Sequence, residues 1–318
     1  MKKILFLIPF LYSLNVSAQI LNDVRELIEL NNPTETDSYP FLSDDGLRLY
    51  YTAFDGSWNN LYYSSRPDLD SDFEPKTLLD SSFFSGVISC SFSPDELDAY
   101  YSTGMNLFRT TRATTSSPFG GSTEITLVGG SITFIGGPTL TPGGAELYIF
   151  NGTGLSKYEQ TNDTLYTFVS NPVPPAAYDG SVAQISKDGL ELYWTLVPIG
   201  TDSTYIFKLD RPAIGDDFAN PVILNNQINS STLQNSQASF ATSANVLIWV
   251  RNNDISWSGN DLFIAQNGTV LLNELGSAPK ELLKIVDLLG RETIYEPNKV
   301  LIYIYSDGTA ERVFKLQY

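Results

Sequence analysis

Apolar and polar residues alternate with a period of two along most of this chain, in short runs separated by clusters of Gly, Pro, Asn, Asp and Ser. Runs of this kind are half-buried strands, and turn-rich breaks between them make antiparallel hairpins. One phrase recurs. Ser43-Asp44-Asp45-Gly46 leads to Leu49-Tyr50-Tyr51-Thr52, Ser93-Pro94-Asp95 to Tyr100-Tyr101-Ser102, and Thr141-Pro142-Gly143-Gly144 to Leu147-Tyr148-Ile149. Ser186-Lys187-Asp188-Gly189 leads to Leu192-Tyr193-Trp194, and a faint copy, Ala241-Thr242-Ser243-Ala244, to Leu247-Ile248-Trp249. The second turn residues, at 44, 94, 142, 187 and 242, are 50, 48, 45 and 55 residues apart, a period that marks an array of supersecondary units.

Within a unit the pattern predicts a strand, a polar turn, a Tyr- and Leu-rich strand, a variable loop and a third strand. In the first unit these are Tyr39 to Leu42, Leu47 to Ala53 and Asn60 to Ser65, with an outer strand at Pro75 to Leu79. A second signature joins strands three and four: Arg66, Arg112 and Arg211 each precede a phenylalanine, Phe73, Phe119 and Phe218, by seven residues. Four strands in about 45 to 50 residues is the size of a propeller blade. The fifth unit lacks an outer strand of its own, and Glu26 to Asn31 resembles the outer strand Pro221 to Asn225. The expected fold is therefore all-β: a five-bladed propeller over 19–275, closed by a strand from the chain's beginning, which removes exposed sheet edges.

Charge and composition narrow the functions open to this fold. A formal charge of −17 argues against nucleic acid and anionic membrane surfaces as partners. The chain has no histidine, which removes the commonest general base and the serine-histidine triad, so catalysis would rest on carboxylates. The lone cysteine, Cys90, rules out an internal disulfide framework and sits in an apolar run that suits burial. Lys2-Lys3, the apolar run Ile4 to Leu14 and the small-residue close Val16-Ser17-Ala18 have the layout of a secretory signal peptide over 1–18, with no later stretch long enough for a transmembrane helix. No cofactor and no metal are expected. The run Asp68-x-Asp70-x-Asp72-x-Glu74 has calcium-like spacing but lacks the glycine and distal glutamate of an EF-hand loop, and reads as a charged surface loop.

The turns leading into Leu-Tyr-aromatic resemble the PD40 or TolB-type WD40-like propeller repeat. The resemblance implies a propeller over most of the mature chain and leaves function open, since such repeats serve scaffolds, surface proteins and parts of peptidases. After the propeller, Lys284-Ile285-Val286-Asp287-Leu288-Leu289-Gly290-Arg291-Glu292 resembles the C-terminal sorting signal of the type IX secretion system of Bacteroidetes. Over 276–318 the pattern predicts strands at Leu283 to Asp287, Val300 to Tyr305 and Glu311 to Leu316, with a hairpin signal at Asp307-Gly308. The resemblance implies a small β-sandwich-like sorting segment, the secretion machinery as partner, and delivery through the periplasm to the cell surface or medium. The residues that carry it are Lys284, Val286, Asp287, Gly290, Arg291, Asp307 and Gly308.

In a propeller the connections into the inner strands and the loops between strands two and three gather on one face, the default place for a ligand. Trp58 with Asn59 and Trp257 with Asn260 occupy equivalent loops of blades that closure makes neighbours, and flat aromatic faces beside amides suit a glycan, a peptide or a partner protein. The alternative is that each tryptophan pins its own hairpin. Glu35, Asp37 and Asp179 are the carboxylates near the channel mouth. They are expected to form a solvated acidic rim, or, paired at about 5 to 10 Å with one pKa raised, to serve glycoside hydrolysis. The sequence thus supports a non-enzymatic binding or scaffold propeller, with a carboxylate-dependent hydrolase or lyase acting on extracellular polysaccharide as the alternative.

Overall fold

The computed structural model describes residues 21, 23–79, 84, 86–175, 178–201, 203–225, 227–229, 234–252, 259–266, 282–287, 291–293, 298–305 and 310–314, in two compact units divided after Gly268. The expected signal peptide, Trp257, Gly290, Asp307 and Gly308 lie outside the described residues.

The first unit is built from four-stranded antiparallel meanders. The first contains β2 (Thr36–Leu42), β3 (Arg48–Phe54), β4 (Asn59–Ser65) and β5 (Thr77–Leu78), and the second β6 (Ser89–Phe92), β7 (Asp98–Ser102), β8 (Leu107–Thr111) and β9 (Thr123–Val128). The third, β10 (Gly136–Leu140), β11 (Glu146–Phe150), β12 (Leu155–Asn162) and β13 (Leu165–Ser170), shares a continuous sheet with the second, because β13 pairs parallel with β9. The fourth is β14 (Tyr178–Ile185), β15 (Glu191–Pro198), β16 (Tyr205–Asp210) and β17 (Ala219–Ile223). The last comprises β18 (Gln234–Ala241), β19 (Val246–Asn252), β20 (Asn260–Gln266) and, on its outer edge, β1 (Asp23–Glu26), antiparallel to β20. The chain's beginning does complete the last sheet, but three residues earlier than Glu26 to Asn31. Leu27 and Leu30 instead turn into the core between the first and last sheets, where burial holds them better than a sheet edge would.

The first strands of the meanders form a cycle: β2 touches β6, β6 touches β10, β10 touches β14, β14 touches β18 and β18 touches β2. The repeated phrase explains how. In three turns the serine hydroxyl donates to the aspartate two residues on (Ser43 to Asp45, Ser93 to Asp95, Ser186 to Asp188, each 2.6 Å) and accepts the amide five residues on, fixing the turn from within. Gly46 and Gly189 take left-handed φ of 74° and 79°. Glu96 takes φ 60° at the same place, and its carboxylate is held by Arg48 (2.7 Å) and the Tyr50 hydroxyl (2.9 Å) of the first meander. The faint fifth turn lacks its own aspartate because Asp44 of the first turn supplies one, accepting from the Ser243 amide (3.1 Å) and hydroxyl.

The tail of the phrase stitches neighbours. Thr52 Oγ1 donates to Ile88 O (3.1 Å), Ser102 Oγ to Ile135 O (2.6 Å), and Thr195 Oγ1 accepts from Gln237 N (3.0 Å), each crossing to the next meander. The arginine signature is also physical. Arg66, Arg112 and Arg211 donate Nε–H to the carbonyls of Gly46, Glu96 and Gly189, all at 2.8 Å, and lie over Phe73, Phe119 and Phe218 at 4.8, 4.5 and 4.3 Å. Seven residues is the span that returns the phenylalanine beneath the guanidinium. The third meander lacks the signature because β12 and β13 join by a tight turn instead of a long connection.

The second unit has a three-stranded sheet in the order β21 (Leu282–Val286), β22 (Val300–Tyr305), β23 (Ala310–Phe314), close to the expected strands. The Asp287 carboxylate accepts from the Arg291 amide (2.9 Å), Asp287 N donates to Arg291 O (2.9 Å) and Thr293 N to Ile285 O (2.9 Å). Asp287 and Arg291 of the sorting-like motif thus clamp a small hairpin. Val286 is buried in it, and Lys284 is exposed.

Candidate functional site

Residues of all five inner strands, among them Pro40, Cys90, Pro138, Ala183 and Ala238, meet at a cavity of only about 20 Å³. That is room for about one water, far below the roughly 300 Å³ of a ligand pocket. The axis is filled at this level, and a ligand must be held by loops at one end. Cys90 is 4% exposed and burial pushes its thiol pKa up, so it is no nucleophile.

Two ends result from the register. At one lie the turns carrying Asp44, Glu96 and Lys187; at the other lie the β3–β4, β7–β8 and β15–β16 loops and the connections entering the inner strands. At the loop end Asp37, the second residue of β2, stands opposite Ala53, on the side of the sheet that packs against Val250 and Leu262 of the last meander. It is 1% exposed. Burial raises its pKa to about 8, against a lowering by Lys76, with further raising by Glu35 and Asp261. Glu35 is ion-paired with Lys76, whose ammonium lies 4.5 Å from the Tyr62 ring. Tyr51, fully buried, has its phenol pKa raised by burial and by the nearby Asp37 and Glu35. Asp37 Oδ1, the Tyr51 hydroxyl and Asn260 Oδ1 are buried without a hydrogen-bond partner.

This corrects the expected acidic rim: Asp37 lies inside the joint between first and last meanders. Asp179, on β14, is exposed and is not among the charges that act on Asp37. Asn260, expected at a ligand surface, is also buried in the joint. Lys76 and Tyr51 were not foreseen as partners of Asp37. Lys76 arrives from an outer connection, and Tyr51 stands in the repeated phrase, where it reads as structural.

Trp58 behaves oppositely. Its side chain is 68% exposed, so it does not pin its hairpin. The turn beneath it is rigid: Asp55 Oδ1 accepts from the amides of Ser57 (2.9 Å) and Trp58 (2.8 Å), and Asp55 Oδ2 from Asn60 Nδ2 (3.3 Å). Beside it a shallow hollow of about 80 Å³ is lined by Asn59, Asn60, Leu78 and Phe84 among others. An exposed indole with amides and apolar side chains can stack on a flat ligand face and hydrogen-bond its edge.

No family model matches the sequence, and no curated protein matches it. Solved structures do. The catalytic domain of a GH62 α-L-arabinofuranosidase from Coprinopsis cinerea superposes with a TM-score of 0.52 at 12% identity, over 73% of this chain and 91% of that one. An α-L-arabinofuranosidase from Podospora anserina gives 0.51 at 12% identity, over 74% and 91%. TolB from Acinetobacter baumannii gives 0.43 at 15% identity over 73% of this chain and 55% of TolB, so the chain spans about half the length of that protein. At such identities the likeness is one of fold alone. The fold is all-β, like that of these two arabinofuranosidases. Among the described residues no helix is long and apolar enough to cross a membrane.

Proposed function

We propose that this chain is an exported five-bladed β-propeller, closed by its N-terminal strand, that acts as a binding or scaffold module for a glycan, peptide or protein partner at the cell surface. The observation that carries this reading is Trp58, an exposed indole on an aspartate-braced turn at the loop end. Aromatic side chains so placed dominate binding energies. Trp58→Ala is expected to weaken binding of a ligand found by array screening by on the order of tenfold or more, with the thermal unfolding curve unchanged. Equal affinity in the variant would sink the reading.

The segment 276–318 is proposed as the sorting domain, supported by the clamp between Asp287 and Arg291; its deletion is expected to leave the propeller in the periplasm, and unchanged surface delivery would remove that role. A second reading, a carboxylate-dependent polysaccharide hydrolase or lyase, is favoured by one observation: burial pushes the pKa of the Asp37 carboxyl up to about 8. Its burial weighs against contact with a polymer. Reducing-sugar release that disappears in Asp37→Asn would establish that reading instead.

A further inference from the structure

The second meander departs from the first and fourth at one place. In those two, the signature arginine is closed over by its own connection: Arg66 Nη1 donates to Leu69 O (3.0 Å) and Arg211 Nη1 to Asp216 O (3.1 Å). Three residues after each arginine stands an aliphatic side chain, and these two, Leu69 and Ile214, pack against the turn glycines Gly46 and Gly189. In the second meander the corresponding residues are Glu96 in the turn and Thr115 in the connection. Thr115 is exposed. Arg112 Nη1 finds no acceptor among the described residues, although the Arg112 side chain is only 4% exposed.

The space beside Thr115 is a cavity of about 470 Å³, within the roughly 300 to 1,000 Å³ of small-molecule sites. Tyr63 of β4, Leu78 of β5, Phe84 and Phe119 give it apolar walls, and its charged lining is Arg48 and Arg112. No carboxylate is among the described residues that line it, in a chain whose formal charge is −17. The buried Glu96 lies against both arginines, but its oxygens already accept from Arg48 and the Tyr50 hydroxyl, and its approach to Arg112 Nη2 is 3.9 Å. Asp45, half-exposed, pairs with Arg48 alone. Arg112 is thus the cation left with a donor to offer.

We propose that this cavity binds a small apolar carboxylate, an acid whose ring or chain lies against Tyr63, Leu78 and Phe84 and whose oxygen accepts from Arg112 Nη1. A guanidinium has donors and no acceptor, so the ligand must supply the lone pair. A basic ligand is repelled, an uncharged hydrocarbon leaves the buried N–H unsatisfied, and a sugar buries hydroxyls against apolar side chains without partners. A carboxylate both accepts and carries the complementary charge. The site is distinct from the contact proposed for Trp58, although Leu78 and Phe84 also line the hollow beside that residue.

The test uses the full chain with two matched pairs of probes, naphthylacetate beside naphthylacetamide and octanoate beside octanamide, read by titration calorimetry and by the rise in Tm on binding. At least one acid is expected to bind, about tenfold more tightly than its amide, because a hydrogen bond between charged groups is worth more than one to a neutral oxygen. Thr115→Leu gives the second connection the side chain that the first one has. It is expected to weaken the acid tenfold or more while Tm without ligand stays level or rises, and Leu78→Trp, at the half-exposed wall, is expected to block the same site. Trp58→Ala is expected to leave acid binding unchanged, which keeps this proposal separable from the loop-end reading. Acid and amide bound equally, no probe bound at millimolar concentration, or an affinity left intact by both Thr115→Leu and Leu78→Trp would overturn the proposal. Acid binding lost in Trp58→Ala but kept in Thr115→Leu would overturn it too, by moving the ligand to the loop end.

Discussion

Asp37→Asn is expected to stabilise the protein above neutral pH and to flatten its stability profile between about pH 4 and pH 8. The sign follows from linkage. The folded pKa of Asp37, about 8, lies above the 3.8 of an ordinary aspartate, so the native state holds a proton that the unfolded chain has released. Stability from this group is fully present below pH 3.8 and is lost as pH rises through the folded value. At about 1.4 kcal/mol per pKa unit the swing is on the order of several kcal/mol, larger than a typical point substitution produces. Asparagine keeps the shape and has no proton to lose. Urea unfolding of the two proteins at pH 5 and pH 8.5 checks this. A wild-type protein equally stable at both pH values would show that Asp37 is ionised and solvated in the native state.

Removing the carboxylate of Glu146 is the second large effect. Glu146, on β11, is 3% exposed and pairs with Lys157 of β12 at 2.6 Å and with Arg211 of the fourth meander at 2.8 Å. The Lys157 and Arg211 side chains are 6% and 0% exposed. Glu146→Ala strands two buried cations, which costs about 3 to 5 kcal/mol and lowers Tm by roughly 10 °C for a unit of this size. Pairing it with Lys157→Met, which removes one of those cations, is expected to recover part of the loss. A Tm shift under about 2 °C for Glu146→Ala would mean that the pair is solvated and adds no more than surface ion pairs do.

Much of this fold is legible from the chain. The period of the Ser-x-Asp phrase locates the meanders, and the seven-residue arginine spacing marks a cation–π contact that the structure contains three times. Local patterns of this sort are written into neighbouring residues. What escaped sequence reasoning depends on contacts between distant segments. Nothing near Glu96 signals a left-handed residue stabilised by Arg48, 48 positions earlier. Nothing near Ala241-Thr242-Ser243-Ala244 shows that Asp44 completes its turn. The site divides the same way. Trp58 was visible as an aromatic in a polar loop, yet its exposure is decided by Asp55 holding the loop outward. Asp37 looked like a rim carboxylate because strand alternation does not say which inner-strand residue the last meander covers.

The loop end is a single surface only if the ring is closed, so closure is the claim on which the functional reading depends. Asp23 and Gln266 are directly paired across β1 and β20, and paired residues in an antiparallel ladder have Cα atoms about 5.5 Å apart, within disulfide range. Cys90, the sole native cysteine, is buried and will not compete. The Asp23→Cys, Gln266→Cys double variant, oxidised while folded and mapped by mass spectrometry, is predicted to carry a disulfide joining these two positions in nearly every molecule. Two free thiols that both alkylate in the folded protein would contradict the closed ring.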